Sequence, residues 1–410
     1  MKPMISGVAL LAAFSLSTAG LSAAAEPLLS ENEALRQAQG RADVADITQS
    51  TLDAAAADAV AAGLPPNPTL DYSRDRTTGS ATRIDSSLRI SQSFDIAGKR
   101  ELWREAAERR RRAIESETQV RRIDMSAELR RRFFAVLWRQ QQHRAIDAWR
   151  QRLVQIEPVV VKLQHGGEVS GYDRRRLSRE RIGAVARLEA EHAELEHALE
   201  RLAALLGTHE RKLSPSGKLL PDATPPLDTL LSRLQDRPQL KAWEARAAAA
   251  DLDGQAARRG WLPDVTLGIG AKRVDDGLQR DKGITFTASI PLPVFDRRQT
   301  AVQRATAEAK LARSEYRLNR ATTEAEIRGL HQQSERLRNA ALEFRAQAVA
   351  ASSDLIRIAT AAYQAGESTL LEMLDAHKGM FDAESAALEL EWQARASRIE
   401  LDQLTGTLAP

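Results

Sequence analysis

The feature that most limits what this chain can fold into is that it is written twice. "GLPPNPTL" at 63–70 is answered by "RGWLPDVTL" at 259–267. "RISQSFDIAGKRE" at 89–101 is answered by "ASIPLPVFDRRQT" at 288–300, and "LQHGGEVS" at 163–170 by "AYQAGEST" at 362–369. An offset of about 200 residues held at all three places implies a duplicated structural unit. Each copy reads as helix, strand, strand, long helix, turn and helix.

The strands show themselves by period-two alternation. Val265, Leu267 and Ile269 alternate with Thr266, Gly268 and Gly270. Ile284, Phe286, Ala288 and Ile290 alternate with Thr285, Thr287 and Ser289, until Pro291 and Pro293 break the run. In the first copy Leu70 and Tyr72 open one strand, and Leu88 and Ile90 belong to the next. The intervening "RDRTTGSATR" and "KRVDDGLQRDK" are polar, carry glycine and read as hairpin loops. Strands of roughly eight to ten residues are long enough to cross a hydrocarbon layer when tilted.

Beyond Asp296 the period changes to threes and fours. The apolar seam runs Val302, Ala305, Ala309, Ala312 and Tyr316, then Ile327, Leu330, Leu337, Ala341, Phe344, Ala348, Ala351, Leu355, Ile358 and Ala362. Polar Arg320, Thr323 and Ser334 fall on the same seam. This is coiled-coil spacing, and a helix of that length spans on the order of 100 Å. The copy from about Lys99 to Gly166 is similar in length but less regular, and Pro158 is expected to bend it or break one hydrogen bond. Seams rich in alanine bury little surface per residue, so such helices need neighbours on more than one side.

Composition agrees with long helices: 43% of residues are hydrophobic, only 4% aromatic and 28% charged. A net charge of +3 is too small to define a nucleic-acid surface, and no nucleic-acid partner is expected. The arginines of "ERRRRAIESETQVRR" sit among Glu105, Glu108, Glu115 and Glu117, as on a solvated helix face laced with ion pairs. Residues 1–25 carry Lys2, a short apolar run and small residues at Ala23 and Ala25, which reads as a secretory signal peptide. There is no cysteine, so packing or assembly must hold the exported protein together. No later stretch is apolar enough for a transmembrane helix.

Four amphipathic strands cannot close a membrane barrel, which needs about eight or more. Three copies contributing four each would give twelve. Each strand then ends where the membrane ends, the prolines turn the chain, and the helices continue as the wall of a tube.

The segments "NPTL", "SQSFDIAGKR", "DRPQLKAWEARAAAAD", "LPDVTLGIG", "SIPLPVFDRRQ" and "AYQAGESTLLEMLDA" resemble the TolC-type outer-membrane efflux family. The "IAGKR" form is similar to its cation-efflux (CzcC-like) branch. The resemblance implies a mainly α protein with a β-barrel: a homotrimer whose 12-stranded outer-membrane barrel continues into a long periplasmic α-helical barrel. It implies the exit duct of a tripartite pump, with a periplasmic membrane-fusion adaptor and an inner-membrane RND-type transporter as partners, and divalent heavy-metal cations as cargo. The first repeat is placed at 26–210 and the second at 211–410, with an equatorial segment near 211–236. Drug efflux or protein secretion through the same duct, and a soluble periplasmic coiled-coil adaptor, are the alternatives.

A passive duct needs a docking end and a closable constriction rather than catalytic groups or a cofactor. The two helix-to-helix turns, Gly167, Glu168, Val169 and Ser170, and Gly366, Glu367, Ser368 and Thr369, are the expected adaptor-contacting tips. Glu372 and Asp375 lie three apart on one helix face and would form acidic rings around a threefold axis, favouring cations. The resemblance assigns these two carboxylates to the periplasmic gate, with Tyr363 as gate tyrosine and Asp173 as the acid of the other hairpin. Ser368 stands where the best-known members carry a basic latch, so the gate is expected to be latched differently, by Arg174 or not tightly at all. The histidines read as dispersed and solvated: His192 and His197 are five apart, off the helical spacing that aligns metal ligands. No catalytic grouping stands out, and an enzyme is not expected.

Overall fold

The computed structural model describes residues 28–79, 82–167, 169–208 and 213–406. The expected signal peptide lies outside the described residues. In chain order the elements are β1 (Leu28–Leu29), α1 (Glu31–Gln39), α2 (Ala42–Gly63), β2 (Thr69–Thr78), β3 (Thr82–Phe94), α3 (Lys99–His165) and α4 (Gly171–Leu206). There follow β4 (Ser214–Pro215), α5 (Leu227–Ser232), α6 (Pro238–Arg259), β5 (Val265–Asp275), β6 (Arg280–Ser289), α7 (Gln299–Phe344), α8 (Ala350–Gln364) and α9 (Leu370–Thr405). Helix, hairpin, long helix, turn and helix thus occur twice.

β2, β3, β5 and β6 form one antiparallel sheet in that order, with β2 and β6 at its edges. The register aligns side chains in transverse rows on one face. Leu70, Ile90, Ile269 and Phe286 make one row, and Tyr72, Leu88, Ala271 and Ile284 the next. Gln92, Leu267 and Ala288, then Phe94 and Val265, continue toward the helices. Successive rows lie about 6.8 Å apart along a strand, so four of them match a lipid-facing band of about 25 Å when allowance is made for tilt. The opposite face is small and polar. A Cβ on Gly270 would lie 2.5 Å from the Leu88 carbonyl oxygen, and one on Gly268 2.6 Å from Thr287 Oγ1. Glycine here lets the polar side chains of neighbouring strands lie flat across the sheet.

The expected hairpin loops are corrected. Strand pairing runs to Thr78↔Thr82 and Asp275↔Arg280, so most of "RDRTTGSATR" and "KRVDDGLQRDK" is strand. Charged residues concealed the strands because their alternation is between two polar faces. Asp275 and Asp276 then cap the second turn, accepting from Gly277 N (3.1 Å) and Gln279 N (2.7 Å) respectively.

Both strand-to-helix joints use one device. Asp95 accepts hydrogen bonds from Ala97 N and Arg100 N, and Asp296 accepts from Arg298 N. The residue before each long helix takes a left-handed conformation: Gly98 (φ 68°) before α3 and Arg298 (φ 64°) before α7. The second copy therefore bears a strain that the first avoids.

α3 continues through Pro158 to His165, giving 67 residues and a length of roughly 100 Å. The "ERRRRAIESETQVRR" pairs are present: Arg111 bonds Glu108 and Glu115, and Glu117 meets Arg246 of α6. Three apolar clusters hold the helices. One joins α1, α3, α4 and α9 through Phe133, Phe134, Leu202, Leu388 and Ile399. A second, around Ile327, Leu240 and Leu401, seats α5 and α6 against α7 and α9. The third lies toward the helical turns. Buried Arg395 of α9 stacks 4.1 Å over Phe134 and donates to the carbonyls of Lys218, Leu219 and Leu220, pinning the segment after β4. Its burial lowers its pKa to about 10.

The seam read along α7 is corrected beyond Phe344. Arg345–Val349 form a π-helical turn. Its extra residue rotates the following helix by about 100° relative to the α-helical pattern. Ser352 and Tyr363 become the buried positions of α8, and Leu355 and Ile358, predicted on the inner seam, are 58% and 57% exposed. Arg345 anchors the turn through Glu391 (2.6 Å) and Glu384 (3.1 Å) of α9.

Gly270→Ala is expected to cost about 1–3 kcal/mol through overpacking against backbone. Reduced heat resistance of the detergent-extracted protein, with helical content unchanged, is the measurement.

Candidate functional site

The two helix-to-helix turns are built alike. In the first, Gly167 has φ 79°, and Ser170 Oγ accepts from Asp173 N at 3.2 Å and donates to the Asp173 carboxylate at 2.7 Å. In the second, Gly366 has φ 76°, and Thr369 Oγ1 accepts from Glu372 N at 3.3 Å. The Glu372 carboxylate in turn accepts from Thr369 N at 2.8 Å, completing a capping box. Asp173 and Glu372 are therefore helix caps, favoured also by the positive end of the helix dipole. Glu168 lies outside the described residues.

The third apolar cluster draws the two turns together. It packs Val160 of α3 and Leu177 of α4 with Tyr363 of α8 and Leu370, Met373 and Leu374 of α9, and Val169 from the first turn leans on it. Trp149 and Phe381 stack within it, their ring centroids 6.4 Å apart. Tyr363 is thus held in the chain's own packing, 7% exposed. Glu372 and Asp375 are exposed on α9, and Met373 and Leu374 between them point inward. Arg174 is exposed and reaches Gln164 of its own hairpin at 3.4 Å.

Residues 230–407 match the outer membrane efflux protein family. Relatives include the cobalt-zinc-cadmium resistance protein CzcC of Cupriavidus metallidurans, 27% identical over 83% of this chain and 81% of that protein. The nickel-cobalt-cadmium resistance protein NccC of Alcaligenes xylosoxydans is 29% identical over 74% of this chain and 70% of its own length. The solved structure of CusC, described for transmembrane channel formation, superposes with TM-score 0.78 at 17% identity over 92% of this chain and 91% of that one. The chain is similar to the outer membrane efflux protein family over residues 230–407, and to these metal-resistance proteins over most of its length.

The fold of the chain is TolC-like. The end of the chain farthest from the sheet carries the two helix-to-helix turns.

Two features of the helices escaped the sequence reading. The histidines are less dispersed than their spacing suggested: His143 of α3 and His192 of α4 have ring centroids 5.7 Å apart, and His192 Nε2 meets Glu196 at 3.4 Å. Helix pairing, invisible to spacing along one helix, brings them together. Among the described residues no group of three or more His, Cys, Asp and Glu could hold a metal ion. The second feature is His377, two residues past Asp375, which is buried at 8% exposure. Burial first, and the charge of Arg152 second, push its pKa below the ordinary 6.5.

Two outcomes follow. Thr369→Ala removes one side of the cap and costs about 1 kcal/mol, so amide exchange over residues 370–374 should quicken about fivefold. His377 is neutral when folded but gains a proton more readily when unfolded. Its contribution is complete above pH 6.5 and is lost as pH falls below that value. Thermal unfolding scans from pH 7 to 5 should show a decline that His377→Gln reduces.

Proposed function

We propose that the protein is the exit duct of a tripartite efflux pump and that it passes divalent heavy-metal cations from an inner-membrane transporter and periplasmic adaptor to the exterior. The observation that carries the reading is the sheet. Its four strands carry a lipid-matched apolar face but end at two unpaired edges, β2 and β6. In hydrocarbon every backbone N–H and C=O must find a partner, so the edges must meet other copies. Three chains supply the twelve strands of a closed barrel, and their helices extend it as a periplasmic tube. The metal-resistance names of the two relatives support the choice of cargo.

At the tip, Gly167, Val169 and Ser170 with Gly366, Glu367, Ser368 and Thr369 form the surface offered to the adaptor. Glu372, Asp375 and Asp173 are the carboxylates near the entrance, where threefold repetition would concentrate negative charge and favour cations. Capping does not remove that charge. It fixes the Glu372 and Asp173 carboxylates at the helix starts and leaves Asp375 without such a restraint. Tyr363 contributes by holding α8 to the hairpin cluster, so that movement of the gate requires this packing to shift.

Protein extracted from outer membranes in detergent should have the mass of three chains, and a soluble periplasmic monomer would remove the barrel. In planar bilayers the trimer should prefer cations, and the double variant Glu372→Ala with Asp375→Ala should lower that preference severalfold. An unchanged reversal potential would take the constriction away from these residues.

A further inference from the structure

Charge is sorted between the two faces of the sheet. On the polar face it is compensated: Asp85 meets Arg83 at 3.0 Å and Lys272 at 3.2 Å. On the apolar face the rows change character at one level across all four strands. Immediately beyond the row Tyr72, Leu88, Ala271 and Ile284 comes Arg74, Ser86, Arg273 and Lys282, and then Arg76, Ile84, Asp275 and Arg280. The five basic side chains are exposed. Among these rows the one carboxylate is Asp275, bonded to Arg280 at 2.8 Å. A shallow groove on this face is lined by Arg74, Ser86, Arg273, Arg280 and Lys282.

The level of these rows is fixed by the chain. Helices join the sheet at the Thr69, Phe94, Val265 and Ser289 ends, and Thr78, Thr82, Asp275 and Arg280 lie at the other. The cations therefore stand at the exterior edge of the apolar band, one or two rows beyond the last fully apolar one. Charged side chains on a lipid-facing surface are tolerated near the interface and costly at the midplane. An interface position explains why they are permitted, but not why nearly all have one sign. Arginine guanidinium groups match phosphate oxygens in bidentate fashion, and a lysine adds a compact positive charge.

We propose that Arg74, Arg273 and Lys282, with Arg76 and Arg280 behind them, bind the phosphate groups of an anionic phosphorylated glycolipid in the outer leaflet. The inference rests on the outer-membrane duct reading, because barrel closure brings the β6 edge of one chain to the β2 edge of the next and makes the rows continuous around the barrel. Ser86 provides a hydroxyl between Arg74 and Arg273 in the same row, and Tyr72 and Ile284 below them meet the acyl chains. The site lies outside the duct and apart from the periplasmic gate, so it secures the barrel in its leaflet without touching cargo.

The test uses the full-length protein extracted in detergent, with diphosphorylated lipid A as probe and native mass spectrometry as readout. The wild-type trimer should retain the lipid, and dephosphorylated lipid A should bind at least tenfold more weakly. The triple variant Arg74→Gln, Arg273→Gln and Lys282→Gln should lose at least tenfold in retention while keeping its trimer mass and conductance. Should the triple variant fail to assemble, Arg273→Gln alone is compared with Arg273→Lys, and only the former should release lipid. Equal retention by variant and wild type, equal binding of dephosphorylated lipid, or complete displacement by 10 mM inorganic phosphate would each overturn the assignment. A wild-type trimer that binds no lipid refutes this proposal alone. A wild-type chain absent from the outer membrane refutes the duct reading beneath it.

Discussion

The structure depends on the two open edges of its sheet. A row of unpaired N–H and C=O groups along β2 and another along β6 can be left in water, but not beside an apolar face meant for lipid. Lengthening the strands cannot remove the problem, and four strands are too few to curl back on themselves. On the proposed duct reading, assembly is therefore built into the backbone, and the low aromatic content is understandable: this sheet has no core of its own to fill. The polar face, with Gly268 and Gly270 giving way to Ser91, Thr287 and Arg89, is suited to line a lumen.

The helical part solves a different problem, that of keeping 100 Å helices together with side chains that bury little area. Large residues are concentrated at three clusters, and between them the helices are laced by ion pairs such as Arg110 with Asp253 and Arg313 with Asp251. Exposed pairs of that kind contribute about 0–1 kcal/mol each. Most of the cohesion must come from the clusters, and from Arg395, which satisfies carbonyls that the segment after β4 would otherwise leave unpaired. The π-turn at Arg345–Val349 redirects α8, turning Leu355 and Ile358 outward and Tyr363 inward. That rotation divides the surface of α8 between its own hairpin and whatever lies outside it.

In the proposed duct the same atoms at the tips serve two purposes. Glu372 and Asp173 close helix starts and also place carboxylates at the entrance. Economy of this sort follows from position: a carboxylate three residues after Ser or Thr at a helix start is stabilised by the cap whether or not a pore lies nearby.

How much of this was written in the chain can be judged from particular residues. The duplication, the alternation at Val265–Ile269 and the threes and fours after Val302 were legible because period and offset survive in one dimension. They determined strand pairs and long helices. The charged strand ends at Arg74–Thr78 and Arg280–Lys282 were not legible, because alternation disappears when both faces are polar, and cross-strand pairing alone aligns them. Nor was the turn at Arg345, where one extra residue changes which face is inside while leaving the apolar spacing untouched. His143 beside His192, the burial of His377 and the row of Arg74, Ser86, Arg273 and Lys282 join residues distant in sequence, and packing between elements decided them. Sequence determined what each segment is, since local geometry follows local pattern; tertiary structure decided what each side chain faces, since that depends on register and rotation set by its neighbours.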